Sequence, residues 1–190
     1  MTRKIAVLVG SLRKGSFNRK IADALAALAP GSLSFELVEI GDLPFYNQDI
    51  ETDAPPPAWT RFRAAIKGAD AVLFVTPEYN RSVPAVLKNA IDVGSRPYGA
   101  NAWQGKPAAV ISSSMGAIGG FGANHHLRQS LAPLGAPILP QEAYLSAAHE
   151  LFDDAGALKN ETTREFLAAF AAKFAVWIET VLADDARAAA

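Results

Sequence analysis

Ile5-Ala6-Val7-Leu8-Val9-Gly10-Ser11-Leu12-Arg13-Lys14-Gly15-Ser16-Phe17-Asn18 changes character at Gly10. The five aliphatic residues before it leave no polar face, so 5–9 predicts a strand covered on both sides, as in a parallel sheet. The residues after it form a polar loop that runs into apolar positions Ile21, Leu25 and Leu28 at helical spacing, stopped by Pro30-Gly31. Outward from this strand–loop–helix unit the pattern repeats. A strand is expected over 35–40, a helix over 60–67 behind a proline-rich approach, and a buried strand over 71–76 (AVLFVT). Ser82 then offers a cap to a helix carrying Val83, Val86, Leu87, Ala90 and Ile91 at i, i+3, i+4, i+7 and i+8. A fourth strand is expected over 108–112, a helix over about 124–132 and a less regular fifth strand within 137–145. The last helix opens on a Thr162/Glu165 capping box and presents Phe166, Phe170, Phe174, Trp177 and Val181 on one stripe. Five strands alternating with helices predict an α/β fold, a doubly wound five-stranded parallel sheet with helices on both faces. One domain is expected over 1–182, with 183–190 as a frayed tail.

Composition narrows the chemistry. Of 190 residues, 18 are Lys or Arg and 19 are Asp or Glu, so no overall field argues for nucleic acid or an anionic membrane. The six cations between Met1 and Ala22 (Arg3, Lys4, Arg13, Lys14, Arg19, Lys20) meet no carboxylate there, which marks a local anion-binding region. Without cysteine, disulfide, thiolate and iron–sulfur chemistry are excluded, and any redox step must borrow a cofactor. No stretch reads as about 20 consecutive apolar residues, and no secretory signal precedes the first strand, so no membrane span and a cytoplasmic location are expected.

In a doubly wound sheet, ligands bind beyond the carboxyl ends of the strands where strand order reverses, so the loops after strands one, three and four are the candidates. The first, 10–18, offers Ser11, Arg13, Ser16, Asn18 and free N–H groups at a helix N-terminus, which suits a terminal monophosphate. It is neither GxGxxG nor GxxxxGK[ST], which argues against a pyrophosphate or a nucleotide triphosphatase. The second, Thr76-Pro77-Glu78-Tyr79-Asn80-Arg81-Ser82-Val83-Pro84, holds an aromatic ring on a stiffened backbone, against which a planar heterocycle can lie. It reads equally as a rigid turn feeding a helix cap. The third, Ser112-Ser113-Ser114-Met115-Gly116-Ala117-Ile118-Gly119-Gly120, lets a flat ligand approach the backbone closely. No metal is expected, because Glu78 and Asp92 lack partners at ligand spacing. His125 and His126, adjacent on a helix, read as structural or surface residues.

GSLRKGSFN, TPEYNRSVPAVLKNAID and the serine/glycine loop ending GAIGG closely resemble the NAD(P)H-dependent FMN reductases, a flavodoxin-like family that includes bacterial quinone and chromate reductases. The likeness spans Lys4 to about Leu145. It implies FMN as cofactor, with Ser11, Arg13, Ser16 and Asn18 on its phosphate, Pro77, Glu78, Tyr79 and Asn80 at the isoalloxazine, and Ser112, Ser113, Ser114 and Gly116 in a third flavin-contacting segment. It implies that Arg81 meets the nicotinamide nucleotide or substrate. The reaction implied is ping-pong: hydride from NADPH or NADH to flavin N5, then two-electron reduction of a quinone, azo dye, nitro compound or chromate. Homodimers or homotetramers are the assemblies implied. Val93 departs from the family's frequent tryptophan at that position. A flavodoxin-type electron carrier and a reductase using FMN as a diffusible substrate are the alternatives; the near-neutral charge weighs against the carrier.

Overall fold

The computed structural model describes residues 2–188. Its elements follow the expected alternation: β1 Arg3–Val9, α1 Phe17–Leu28, β2 Leu33–Leu37, α2 Pro57–Lys67, β3 Ala71–Thr76, α3 Ala85–Gly94, β4 Ala108–Ser113, α4 Phe121–Leu131, β5 Ala143–Leu145 and α5 Glu161–Ala188. All strand pairs are parallel, in the order β2-β1-β3-β4-β5. Strand order reverses between β1 and β3, so their carboxyl ends frame the crevice predicted for ligands.

The period of two along each strand divides the core. Ile5, Val7 and Val9 of β1, with Leu73 and Val75 of β3, pack under α1 and α5. Ala6 and Leu8, with Val72 and Phe74, pack under α2, α3 and α4. β2 and β5 form the edges; β5 shrinks to three residues, preceded by a lone bridge between Ala108 and Ile138. β2 starts two residues earlier than expected and ends at Leu37, where the chain turns into the long loop ahead of α2.

Four expected helix starts are corrected, among them that of α2, which begins at Pro57 rather than 60. Ser82 caps nothing: Pro84 precedes α3, and Ser82 closes a turn with Tyr79 instead. The capping group of α5 is Asn160, whose Oδ1 accepts from Thr163 N at 3.1 Å, rather than Thr162. The packed stripe is centred on Leu167, Phe170, Ala171, Phe174 and Ile178, which are buried, while Phe166, Trp177 and Val181 flank them half-buried. Finally, α4 starts at Phe121, ahead of the expected 124.

By length and composition alone α5 could pass for a membrane span, although Lys173 and Glu179 interrupt its apolar run. Within Glu161–Asp184 an 18-residue window has mean hydropathy 1.7. Alanines interleaved with the core stripe supply much of that apolarity, and the stripe itself lies on α1 and the sheet. The helix continues through 183–188, the stretch read as a frayed tail, because alanine and arginine favour helix; residues 189 and 190 lie outside the described residues.

The loop between β2 and α2 is tied down by side chains on the helices. Asn89 of α3 accepts from Tyr46 N at 2.8 Å and donates to Leu43 O and Pro44 O. Trp59 Nε1 also donates to Pro44 O, and Arg63 makes a two-pronged pair with Glu51.

Candidate active site

The loops after β1, β3 and β4 meet in one cleft. Ser11, Arg13, Phe17 and Asn18 line one end, Pro77, Glu78 and Tyr79 a second side, and Ser113, Ser114 and Met115 a third, closed by Ala148 after β5. The cleft holds about 200 Å³. A second depression of about 490 Å³ opens from it across Ser11, Arg13 and Tyr79.

The first loop is organised by the start of α1. Ser16 is the N-cap, its Oγ accepting from Arg19 N at 3.2 Å, and it is buried in that role. Asn18 sits in the first turn, 5% exposed, with Oδ1 accepting from Ser113 Oγ at 3.1 Å. That bond locks the amide so that its NH2 group, unpaired within the described residues, is left for a ligand. The Ser11 hydroxyl, the first-turn N–H groups and the Arg13 guanidinium border the same space, a donor set that fits an anionic oxygen cluster. Arg13 is held by a bond to Gly15 O at 3.1 Å and by its position 5.4 Å from the Phe17 ring.

The second loop is a two-residue hairpin. Tyr79 N donates to Ser82 O at 3.1 Å and Ser82 N to Tyr79 O at 2.9 Å, with Asn80 at φ 48° and Arg81 at φ 63° between them. Two left-handed residues in succession define a type I′ turn, which favours Asn and then Gly. Asn80 meets that preference and Arg81 opposes it, so strain is stored beneath an exposed guanidinium. Arg81→Gly is expected to raise stability by roughly 0.5–1 kcal/mol, strain relief partly offset by the freer unfolded chain, as read in urea denaturation.

This hairpin rests on the N-terminus of α4. The Glu78 carboxylate accepts from Ala123 N at 3.0 Å, satisfying one of the helix's unpaired amides. Gly122 lies against the turn, where a Cβ would stand 2.6 Å from Arg81 O. Ser82 Oγ and His126 Nδ1 approach to 3.0 Å. Glu78 is thus committed to helix and turn, with Arg81 Nη1 3.7 Å from it.

The third loop, although rich in serine and glycine, is braced at each step. Ser112 Oγ donates to Gly119 O, Ser114 Oγ to Gly116 O and Ser146 Oγ to Ala117 O, at 2.9, 3.2 and 2.5 Å. Gly119, at φ 58°, passes so close to Tyr144 that a Cβ would meet its Cβ at 2.9 Å. Beneath it Asn124, fully buried, donates to Ser112 Oγ and Ala143 O and accepts from Arg128 Nε. Ser112 therefore belongs to the buried network that shapes the loop and does not line the cleft. Gly116 and Asn80 are exposed beside the cleft without lining it, and Arg81 stands at its margin. Phe17 and Ala148 were not anticipated. Phe17 follows the capping serine and reads as an ordinary helix residue, and Ala148 arrives through a strand too short for its loop to be singled out.

His125 lies on the outer face of α4, with Nε2 2.9 Å from the Tyr144 hydroxyl, which also donates to Glu142 at 2.6 Å. Burial and that carboxylate push the Tyr144 phenol up to about 12.

Residues 3–150 match the family model of NADPH-dependent FMN reductases. The chain belongs to that family. Among FMN reductase relatives, it is 64% identical over 176 residues to a quinone reductase of Pseudomonas putida, covering 92% of this chain and 94% of the relative. A 2-hydroxy-1,4-benzoquinone reductase of a Burkholderia species is 49% identical over 179 residues, covering 94% and 97%. The solved structure of FerB, a flavoenzyme NAD(P)H:(acceptor) oxidoreductase of Paracoccus denitrificans, superposes with TM-score 0.87 at 46% identity, covering 94% of this chain and 98% of that one. A flavodoxin from Pseudomonas aeruginosa shares the fold at TM-score 0.56 and 21% identity.

Proposed function

We propose that this FMN reductase homologue is an NAD(P)H:quinone oxidoreductase that binds FMN in the three-loop cleft. The observation that carries the reading is the convergence of an anion-binding helix start, a braced glycine/serine backbone and a strained hairpin at the point where strand order reverses. The donor set suits the cofactor. Asn18, with its amide oriented by Ser113, joins Ser11, Arg13 and the first-turn amides around a phosphomonoester, and Ser16 holds that turn in place. Pro77 and Tyr79 on one side and Ser113, Ser114 and Met115 on the other flank the space for a planar ring.

When bound, FMN supplies the redox chemistry, taking a hydride equivalent from NAD(P)H and passing two electrons to a quinone. The chain's own contribution is position and field. The hairpin amides of Asn80 and Arg81, which take no part in its closing bonds, would favour negative charge on a bound ring. Tyr79 and Met115, exposed where they line the cleft, would cover part of a bound ring against water. Arg81, three-quarters exposed, attracts the phosphates of the incoming nucleotide, so the stabilised Arg81→Gly variant is expected to bind that nucleotide more weakly. An open ring face also admits azo, nitro or chromate acceptors. Exposed Leu12 beside the cleft, with exposed Phe45 and Tyr98 elsewhere on the surface, supports a homodimer or homotetramer, and a cytoplasmic location is part of the same reading.

The deciding experiment is the visible spectrum of the purified protein after FMN addition and desalting, then under anaerobic NADPH or NADH. Retained flavin that bleaches and is recoloured by a quinone is the expected result. Retained flavin that neither nucleotide bleaches would favour an electron carrier. Turnover of FMN without retention would make it a diffusible substrate, and absence of both would end the flavoprotein reading.

A further inference from the structure

A crevice of about 260 Å³ lies above the carboxyl ends of β1 and β2, lined by Arg13, Lys14 and Arg19 and by Glu39 just beyond β2. It is continuous with the active-site depressions. The 490 Å³ depression shares Ser11, Leu12 and Arg13 with this crevice and Ser11, Arg13 and Tyr79 with the cleft. A groove therefore runs from the hairpin at Tyr79, over the first loop, to the end of β2. It would lead an extended ligand from the Tyr79 hairpin to the cations of the first loop and α1.

Those cations are differently engaged. Arg13 is turned toward Gly15 and Phe17 and serves the cleft. Arg19 pairs with Asp23 at 3.1 Å across an exposed helix face, a contact weak enough to be shared with an incoming anion. Lys14 makes no ion pair among the described residues and stands exposed at the crevice. Glu39, just beyond the second strand, puts one carboxylate on the rim; a carboxylate on the ribose 2′-hydroxyl favours the unphosphorylated nucleotide, so Lys14 and Arg19 must offset it for a 2′-phosphate to bind.

We propose that this crevice receives the adenosine end of the nicotinamide nucleotide, and that Lys14 and Arg19 bind the 2′-phosphate by which NADPH differs from NADH. The inference rests on the oxidoreductase reading above and adds to it the choice of reductant. A phosphomonoester carries more than one negative charge, and two cationic donors on one rim give it charge-assisted hydrogen bonds that NADH cannot make. Glu39 opposes the phosphate only if the two are adjacent; placed toward the adenine amino group, it accepts a hydrogen bond instead.

The test uses the FMN-loaded protein and two fragments, 2′,5′-ADP, which carries the distinguishing phosphate, and 5′-AMP, which lacks it. Calorimetry is expected to show 2′,5′-ADP binding at least tenfold more tightly. The Lys14→Gln/Arg19→Gln variant should abolish that gap and lower the ratio of kcat/KM for NADPH over NADH tenfold or more. Equal binding of the fragments, or a variant that keeps both gap and ratio, would overturn the assignment. Displacement of 2′,5′-ADP by inorganic phosphate at matching concentration would also overturn it, leaving an anion site without adenosine recognition. Fragment binding needs no turnover, so it reads the crevice even if neither nucleotide reduces the flavin, the outcome that would defeat the oxidoreductase reading instead.

Discussion

Gly122→Ala lowers the protein's stability and its hold on FMN together. Alanine is favoured over glycine inside a helix by about 1 kcal/mol, so propensity alone would make this variant more stable. The structure reverses the sign, because the new Cβ would stand 2.6 Å from Arg81 O and 3.0 Å from Glu78 Oε2. One partner must move. α4 is anchored by buried Ala123, Asn124, Leu127 and Leu131, whereas the hairpin is exposed and already strained at Arg81, so the hairpin yields. Overpacking of this kind costs roughly 1–3 kcal/mol. Displacing Tyr79 from the cleft wall is expected to weaken FMN at least tenfold, as measured by quenching of flavin fluorescence. A stabilised variant would show that the hairpin is not seated on α4. A destabilised variant with unchanged FMN affinity would show that the seat does not govern the cofactor.

Arg63→Met produces the largest loss of stability. Arg63 is a buried cation whose Nη1 and Nη2 bond Glu51 at 2.9 and 2.5 Å, whose Nε donates to Val93 O at 2.9 Å, and whose guanidinium lies 5.4 Å from the Trp59 ring. The two charged side chains are only 9% and 12% exposed. Removing the cation leaves a mostly buried carboxylate without its partner and takes from Val93 O its shorter bond, leaving the 3.4 Å bond from Arg96 N, a loss of about 3–5 kcal/mol. Adding Glu51→Met should restore most of it, since the penalty lies in the charge left behind rather than in the pair. Urea denaturation of wild type, both single variants and the double variant completes the cycle. Failure of the double variant to recover would locate the effect in Val93 and Trp59 instead. The same pair pins the loop ahead of α2, so Arg63→Met should also expose residues 48–56 to proteolysis.

The sequence by itself determined the alternation of elements, the parallel sheet and the three loops at its carboxyl edge. Strands such as 71–76 are apolar throughout, and that pattern states burial on both faces without reference to the rest of the chain. It also named most of the residues that line the cleft, since Ser11, Arg13 and Asn18 are unusual at a strand-to-helix turn, and Pro77 to Tyr79 at the next. Periodicity did not reach the helix caps. Ser82 and Asn160 are both plausible capping residues, and only the backbone's path makes one a hairpin closure and the other the start of α5. Nor could spacing divide the serines of the third loop. Ser113 orients Asn18 while Ser112 turns inward to Gly119 and Asn124, a division set by β4's pleat and by the arrival of α4 beneath it. The seat of the hairpin is tertiary in the same sense: Glu78 and Ser82 are far in the chain from Ala123 and His126, and their contacts exist because β3 ends and α4 begins at the same edge of the sheet. Local pattern reports which surfaces an element must bury. Which polar groups then meet is decided by where the packed elements bring their ends.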